Sequence, residues 1–187
     1  MAVKNEYRDW LKQDLGDLID ALELPDLNKR FLRSRWLDQV LWMEGRADHA
    51  RNRYYLLRLT TIILGLIIPV LVGLNIEGQP ALLLRYAIVV MGLLVAVSGA
   101  LEEFFRYGER WRHYRHTVEW LKIEGWRFFQ LSDPYGEFKN HASAYVKFAD
   151  RVEEIIRRDV SVYISEIVRA KEGMEAKKDS QQGQATI

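Results

Sequence analysis

The sequence predicts an all-α membrane protein, a two-span antiparallel transmembrane hairpin whose helices extend into a cytosolic four-helix bundle. Three observations point there. Residues 59–76, LTTIILGLIIPVLVGLNI, carry no charge; residues 80–101, PALLLRYAIVVMGLLVAVSGAL, carry only Arg85; and the flanks of this pair repeat apolar residues in steps of three and four.

The first apolar stretch rises about 27 Å as a helix, close to the roughly 30 Å of a bilayer's hydrocarbon core. The second is longer. NIEGQP, residues 75–80, lies between them, rich in turn formers and long enough only for a tight antiparallel connection. Two buried helices of a soluble domain are the alternative, but a helix apolar on every side needs protein on every side. A chain of 187 residues has little left to cover two of them.

Averages conceal this segregation. With 28% charged residues, a net charge of +1 and a mean hydropathy of −0.20, the composition is that of an ordinary soluble domain. The absence of cysteine excludes disulfides and thiolate chemistry and fits a reducing compartment. Acidic residues alternate with basic ones along the chain, which leaves no basic footprint for nucleic acid. The amino terminus, MAVKNEYRDWLKQDLGDL, lacks the apolar core of a signal peptide.

Charge sets the expected orientation. Arg46, Arg51, Arg53 and Arg58 precede the first span, Arg106, Arg110, Arg112 and Arg115 follow the second, and the connecting turn has no Lys or Arg. Both termini are therefore expected in the cytoplasm, the chain sitting in a bacterial inner membrane. Tyr54 and Tyr55 on one side, and Phe104, Phe105 and Tyr107 on the other, are expected at one depth as an interfacial belt. Arg85 lies near the opposite face, within reach of the outer headgroups.

The remaining elements read as helices in order. Residues 4–23 form an amphipathic helix with Trp10, Leu11, Leu15, Leu18 and Leu22 on its apolar face, and ELPDLNKR turns into a long helix from residue 26 that enters the membrane. The amphipathic helix could instead lie on the membrane surface, although Asp9, Asp14, Asp17 and Asp20 would repel anionic lipid. Trp36, Val40, Met43, Ala47, Ala50, Tyr54 and Leu57 form one heptad seam; Tyr107, Trp111, Tyr114, Val118, Leu121, Gly125 and Phe128 form its counterpart. Each span is expected to continue into its flank as an unbroken helix. LSDPYGE ends the second, since Pro134 disfavours helix at Asp133. A last helix over about 137–171 carries Tyr145, Ala149, Val152, Ile156, Tyr163 and Ile167 and folds back, leaving 173–187 as a disordered tail. The chain thus divides into cytosolic helices over 1–58, a membrane hairpin over 59–101, cytosolic helices over 102–172 and the tail.

ERWRHYRHTVEWLKIEGWRFF, residues 109–129, following a two-span hairpin that contains IIPVL, resembles the SLATT superfamily of two-transmembrane prokaryotic proteins, in its domain-of-unknown-function 4231 type. The matching residues are Trp111, Tyr114, Arg115, Glu119, Leu121, Lys122 and Glu124, with Trp36, Gln39 and RNRYYLLR before the first span; the likeness covers about 30–170. It implies a membrane effector that oligomerises and forms a pore, often associated with nucleotide-signalled defence. The chain carries no recognisable nucleotide sensor.

Candidate contacts and pore residues follow from the spans themselves. Gly92, Ala96 and Ala100 form a small-residue stripe on the second span, and Gly65, Pro69 and Gly73 form one on the first; either suits close helix approach between subunits or within the hairpin. Pro69 frees a backbone carbonyl. Polar residues available to a lumen are Thr60, Thr61, Ser98 and Arg85, with Glu77 at the tip and Glu102 and Glu103 at the cytoplasmic mouth; the last two could equally be solvated or paired with Arg106. An Arg85 facing the lumen would oppose cations.

Catalysis finds no support. Glu109, His113 and His116 share a helix face, but a metal centre needs matching ligands on neighbouring helices, and no phosphate loop or nucleophile constellation accompanies them. The expectation is a homo-oligomeric ion channel or pore-forming effector in a lipid bilayer, without cofactor, metal or catalytic residue. The alternative is a non-conducting membrane scaffold whose cytosolic helices bind a partner protein.

Overall fold

The computed structural model describes residues 2–74 and 78–161, and among these every regular element is helical. The helices are α1 (Ala2–Ala21), α2 (Asp26–Phe31), α3 (Asp38–Gly73), α4 (Gln79–Phe105), α5 (Tyr107–Phe129) and α6 (141–161). A π-helical turn, Leu32–Leu37, joins α2 to α3 without a break. Glu77, Tyr163, Ile167 and the tail 173–187 lie outside the described residues.

Contacts divide the chain into two units, Met1–Val40 with Thr117–Ile187, and Leu41–His116. The core of the first unit gathers round Trp36. Its indole N–H donates to the Leu121 carbonyl at 2.9 Å, and its ring meets Phe129 and Phe148 edge-on. The π-helical turn makes this seat possible, since its wider helix turns both Trp36 and Leu37 inward at consecutive positions. Phe128 stacks on Phe148 with ring centroids 4.4 Å apart. Arg35 ties the same segment to α6 through two hydrogen bonds to Glu153, at 2.6 and 2.7 Å.

α1 buries Leu11, Leu15 and Ile19, with Leu22 and Leu24 just beyond its end. Trp10, expected on this apolar face, is instead 56% exposed. The inward steps start at Leu11, so Trp10 sits about 100° round the helix and stacks on Tyr7. α6 corrects a second expectation: it starts at residue 141, and its buried positions are Ala144, Phe148, Val152 and Ile156, with Tyr145 and Ala149 only half-buried. Asn140 sets that start, its Oδ1 accepting the Ser143 N–H at 2.9 Å as an N-cap.

α5 ends in a Schellman motif. Ser132 N–H reaches the Arg127 carbonyl and Leu131 N–H that of Phe128, with Leu131 left-handed at φ 46. Pro134 follows in a cis peptide, as befits a chain that reverses at once.

In the second unit, α3 and α4 each present one shielded stripe. Tyr54, Leu57, Thr61, Leu64, Ile68 and Leu71 on α3, and Ala81, Leu84, Ile88, Met91, Val95, Ser98 and Glu102 on α4, are its less exposed positions. Both keep heptad spacing. The heptad seam read from the sequence on α3 therefore continues beyond Leu57 to Leu71.

The second apolar helix is not continuous with its flank. α4 ends at Arg106, which adopts the left-handed conformation at φ 49 and ψ 44, and α5 restarts at Tyr107. The Arg106 carbonyl then accepts the N–H groups of both Glu109 and Arg110, so the break costs few backbone hydrogen bonds. Gly108, two residues beyond the break, lies against Tyr54: a Cβ on it would stand 3.0 Å from Tyr54 Cε2, a close approach that glycine makes without displacing the ring.

Candidate functional site

The functional surface of the second unit starts from what it fails to bury. The most apolar stretch of α3 is 0% buried and that of α4 is 6% buried, although both are long and apolar enough to cross a membrane. Leu56, Ile63, Leu66 and Val70 on α3 and Leu83, Val89, Leu93 and Val97 on α4 all stand exposed. Monomeric soluble proteins rarely expose so many apolar side chains together.

The small-residue stripes lie on this outer surface. Gly65, Pro69, Gly73, Ala96 and Ala100 are exposed and Gly92 is half-exposed. A Cβ on Gly65, Gly73 or Gly92 would meet nothing within 4 Å. They are thus not what brings α3 and α4 together.

The polar candidates separate. Thr60 Oγ1 donates to the Leu56 carbonyl at 2.8 Å and Thr61 Oγ1 to that of Leu57 at 3.0 Å, which satisfies both hydroxyls within their own helix. Ser98 is buried on the shielded stripe of α4, at 7% exposure. Arg85 is exposed and has no ion partner among the described residues. Glu103 is exposed and Glu102 half-buried. Arg106 pairs with neither: its Nη2 donates to Glu109 at 2.8 Å, one turn further on.

Glu102, Glu103, Arg106 and Glu109 come together with Tyr54, Gly108 and Arg112 around a cleft of about 210 Å³. Beside it, Tyr54 and Tyr55 pack on Trp111 with ring centroids 6.3 and 5.8 Å away, and Phe105 bridges Phe104 and Tyr107. The result is an aromatic collar where the exposed apolar surface ends. Further along, Tyr114 meets Trp42 edge-on, and Arg115 binds the buried Glu44 at 2.7 Å. Glu44 was not legible as a partner because it sits one residue off the α3 seam.

The first unit holds a second polar centre. Glu124 is 1% exposed and receives hydrogen bonds from the Tyr135 hydroxyl and from Arg151 Nε and Nη2, the last at 3.1 Å. Burial, then the hydrogen bond to Glu124, push the Tyr135 phenol well above its ordinary range. The same carboxylate raises Arg151 further above its usual value. Only Glu124 of this triad stood out in the sequence; Tyr135 and Arg151 lie on other elements, with no local pattern linking them. Lys122 lies 3.6 Å from Glu119, and the Leu121 carbonyl holds Trp36. The first is a pair within α5, the second a contact between helices.

Between α1 and α5 of this unit, Tyr7, Trp10, Asp14, Trp36, Lys122 and Trp126 line an open groove of about 180 Å³. Among the described residues no group of three His, Cys, Asp or Glu side chains is placed to hold a metal ion, and His113 contacts the Tyr114 ring instead.

Residues 38–143, more than half of the chain, match the family described as Protein of unknown function (DUF4231). The chain belongs to that family. SLATT domains are of this type, so the resemblance read from residues 109–129 agrees with the match. The DUF4231 match opens at the first residue of α3 and takes in α4, the Arg106 break, α5 and the cis-proline turn. It thus contains the apolar pair, the collar and the Glu44–Arg115 and Trp36-facing helix, while α1 and most of α6 fall outside it. No curated protein and no solved structure matches the chain.

Proposed function

We propose that this DUF4231 protein is an integral membrane protein that crosses the bilayer twice, with both termini in the cytoplasm, and assembles into a homo-oligomer that conducts ions. The exposed apolar surface running from Leu56 to Phe104 carries the reading, because lipid is the partner that removes it from water without further protein. The arginines of the collar favour the cytoplasmic side for that end, and the helices of the first unit then form a cytosolic four-helix bundle. α4 and α3 offer their small-residue stripes outward, where a second copy can approach closely.

Thr60, Thr61 and Ser98 already have partners or cover, so the polar lining of a conducting ring is assigned to the carboxylates Glu102 and Glu103 at the mouth and to Glu77 at the tip. Rings of carboxylate concentrate cations. No catalytic step is proposed. Protein purified in mild detergent and reconstituted in liposomes is expected to behave as an oligomer and give a cation flux that falls when Glu102 and Glu103 become Gln. A strict monomer, or silence across ions, voltages and activators, overturns conduction.

The aromatic groove of the first unit favours a second reading, a membrane scaffold. Trp10 and Trp126 stand 56% and 44% exposed at its rim, the residue type that anchors protein partners. A protein that oligomerises, inserts and never conducts, yet loses a co-purifying partner on Trp10→Ala, identifies that function.

A further inference from the structure

Residues 41–116 contain nine arginines and no lysine, whereas the rest of the chain carries nine of each. A surface that needed only positive charge near a membrane would use either residue, since general attraction to anionic lipid is similar for both. Arginine differs in its planar fork of donors, which meets a phosphate with two parallel hydrogen bonds.

Four of the nine are occupied inside the chain. Arg46 lies over the Trp42 ring, Arg51 pairs with Asp48, Arg106 with Glu109 and Arg115 with Glu44. The other five, Arg53, Arg58, Arg85, Arg110 and Arg112, have no ion pair or hydrogen bond from their side chains among the described residues, and all five are exposed. Their positions are not scattered. Arg53 and Arg58 precede the uncharged part of α3, Arg110 and Arg112 follow the Arg106 break, and Arg85 sits towards the other end of α4.

The spacing matches a bilayer. From Arg85 to Glu102, where charged residues resume at the far end of α4, the helix rises about 25 Å, and a guanidinium extended towards the tip brings this uncharged stretch to the roughly 30 Å of a hydrocarbon core; Arg110 and Arg112 follow about two to three turns further on, beyond the Arg106 break. Exposed Tyr86 stands beside Arg85, and exposed Tyr55 and Phe104 stand at the collar. Carboxylates Glu102, Glu103 and Glu109 share the cleft with Arg112, but Glu109 is engaged by Arg106.

We propose that these five arginines are ligands for lipid phosphodiesters: Arg53, Arg58, Arg110 and Arg112 form a collar that retains anionic phospholipid in one leaflet, and Arg85 holds a headgroup phosphate in the other. The proposal rests on the reading of α3 and α4 as membrane spans. Its ligand is chosen by geometry as well as charge, which separates it from a general preference for a negative surface.

The test uses the full chain in nanodiscs of phosphatidylcholine with a minority of phosphatidylglycerol, released into detergent for native mass spectrometry. Wild-type protein is expected to keep bound phosphatidylglycerol. The quadruple variant Arg53→Lys, Arg58→Lys, Arg110→Lys and Arg112→Lys keeps every charge and is expected to hold it roughly tenfold more weakly, the quadruple Gln variant weaker still. Equal retention by the Lys variant overturns the arginine geometry, and equal retention by the Gln variant overturns the collar as a site. Stripping by excess inorganic phosphate would show a free-phosphate site and overturn the lipid assignment, as would displacement of lipid by an acidic peptide at equal concentration. Arg85→Lys, scored for phosphatidylcholine retention, tests the other level in the same way. Alkaline extraction from vesicles, run on every protein, separates the two ideas: wild type that washes off overturns the membrane reading, whereas inserted protein without bound lipid overturns only this one.

Discussion

Trp36 fills the space that a side chain at Gly125 would need: a Cβ there would lie 2.1 Å from Trp36 Cζ2 and 2.8 Å from Cε2. The indole is 1% exposed and fixed by its hydrogen bond to the Leu121 carbonyl, so it cannot swing aside. In a helix interior glycine is ordinarily a cost of about 1 kcal/mol relative to alanine. Here close packing outweighs that cost. Gly125→Ala is expected to lower stability by about 3 kcal/mol, the helix gain notwithstanding. Gly16→Ala, where a Cβ meets nothing within 4 Å, is expected to be neutral or stabilising. Denaturant unfolding followed by tryptophan fluorescence checks both, and a tolerated Gly125→Ala would sink the account.

Alkaline pH should act on Tyr135. Its folded pKa is raised, first by burial and then by the hydrogen bond to Glu124. A raised pKa means that the stabilisation is complete below the ordinary tyrosine value of about 10 and is lost as pH climbs beyond it, because the unfolded chain releases that proton first. The unfolding midpoint is therefore expected to fall above about pH 10, and Tyr135→Phe should flatten that fall. An unchanged alkaline slope in the variant would show that another group sets it.

Acid acts through the opposite sign at Glu153. The hydrogen bonds from Arg35 hold its carboxyl below the usual value, so this stabilisation exists above that value and disappears as pH drops through the folded one. Arg35→Gln is expected to reduce the acid sensitivity of the unfolding midpoint while lowering it at neutral pH. Titration of the Glu153 carboxyl by NMR in both proteins gives the direct comparison.

Buried Glu124 should be harder to replace than any surface acid. Glu124→Gln removes the charge that Arg151 and Tyr135 both face and is expected to cost about 2 kcal/mol, whereas Glu154→Gln, in an exposed pair with Arg157, is expected to cost well under 1 kcal/mol. Comparable losses in the two variants would mean that the triad adds nothing beyond an exposed pair.

The outward stripes allow oligomerisation to be separated from folding. Gly65→Leu and Ala96→Leu place bulk where the single chain has room, so thermal stability in detergent is expected to hold while crosslinked oligomer declines. Unaltered crosslinking in the double variant removes these stripes from the subunit contact.

Two kinds of information separate along this chain. The uncharged runs, the heptads through Trp36–Leu57 and Tyr107–Phe128, and the stop near Pro134 were determined by the sequence alone, because hydropathy and helical period are properties of neighbouring residues. The shielded positions of α3 and α5 follow those heptads closely. The inward faces of α1 and α6 were decided by tertiary structure: Leu11 rather than Trp10, and Phe148 rather than Tyr145 or Ala149, face the core about Trp36. In each case two apolar neighbours competed for one direction, and only the shape of the facing helices could choose. The left-handed Arg106 was likewise hidden, since neither glycine nor asparagine stands at that position to mark a helix end. So was the triad at Glu124, whose partner Arg151 is 27 residues away. Periodicity is written locally; the partner that neutralises a buried charge exists only once distant segments meet.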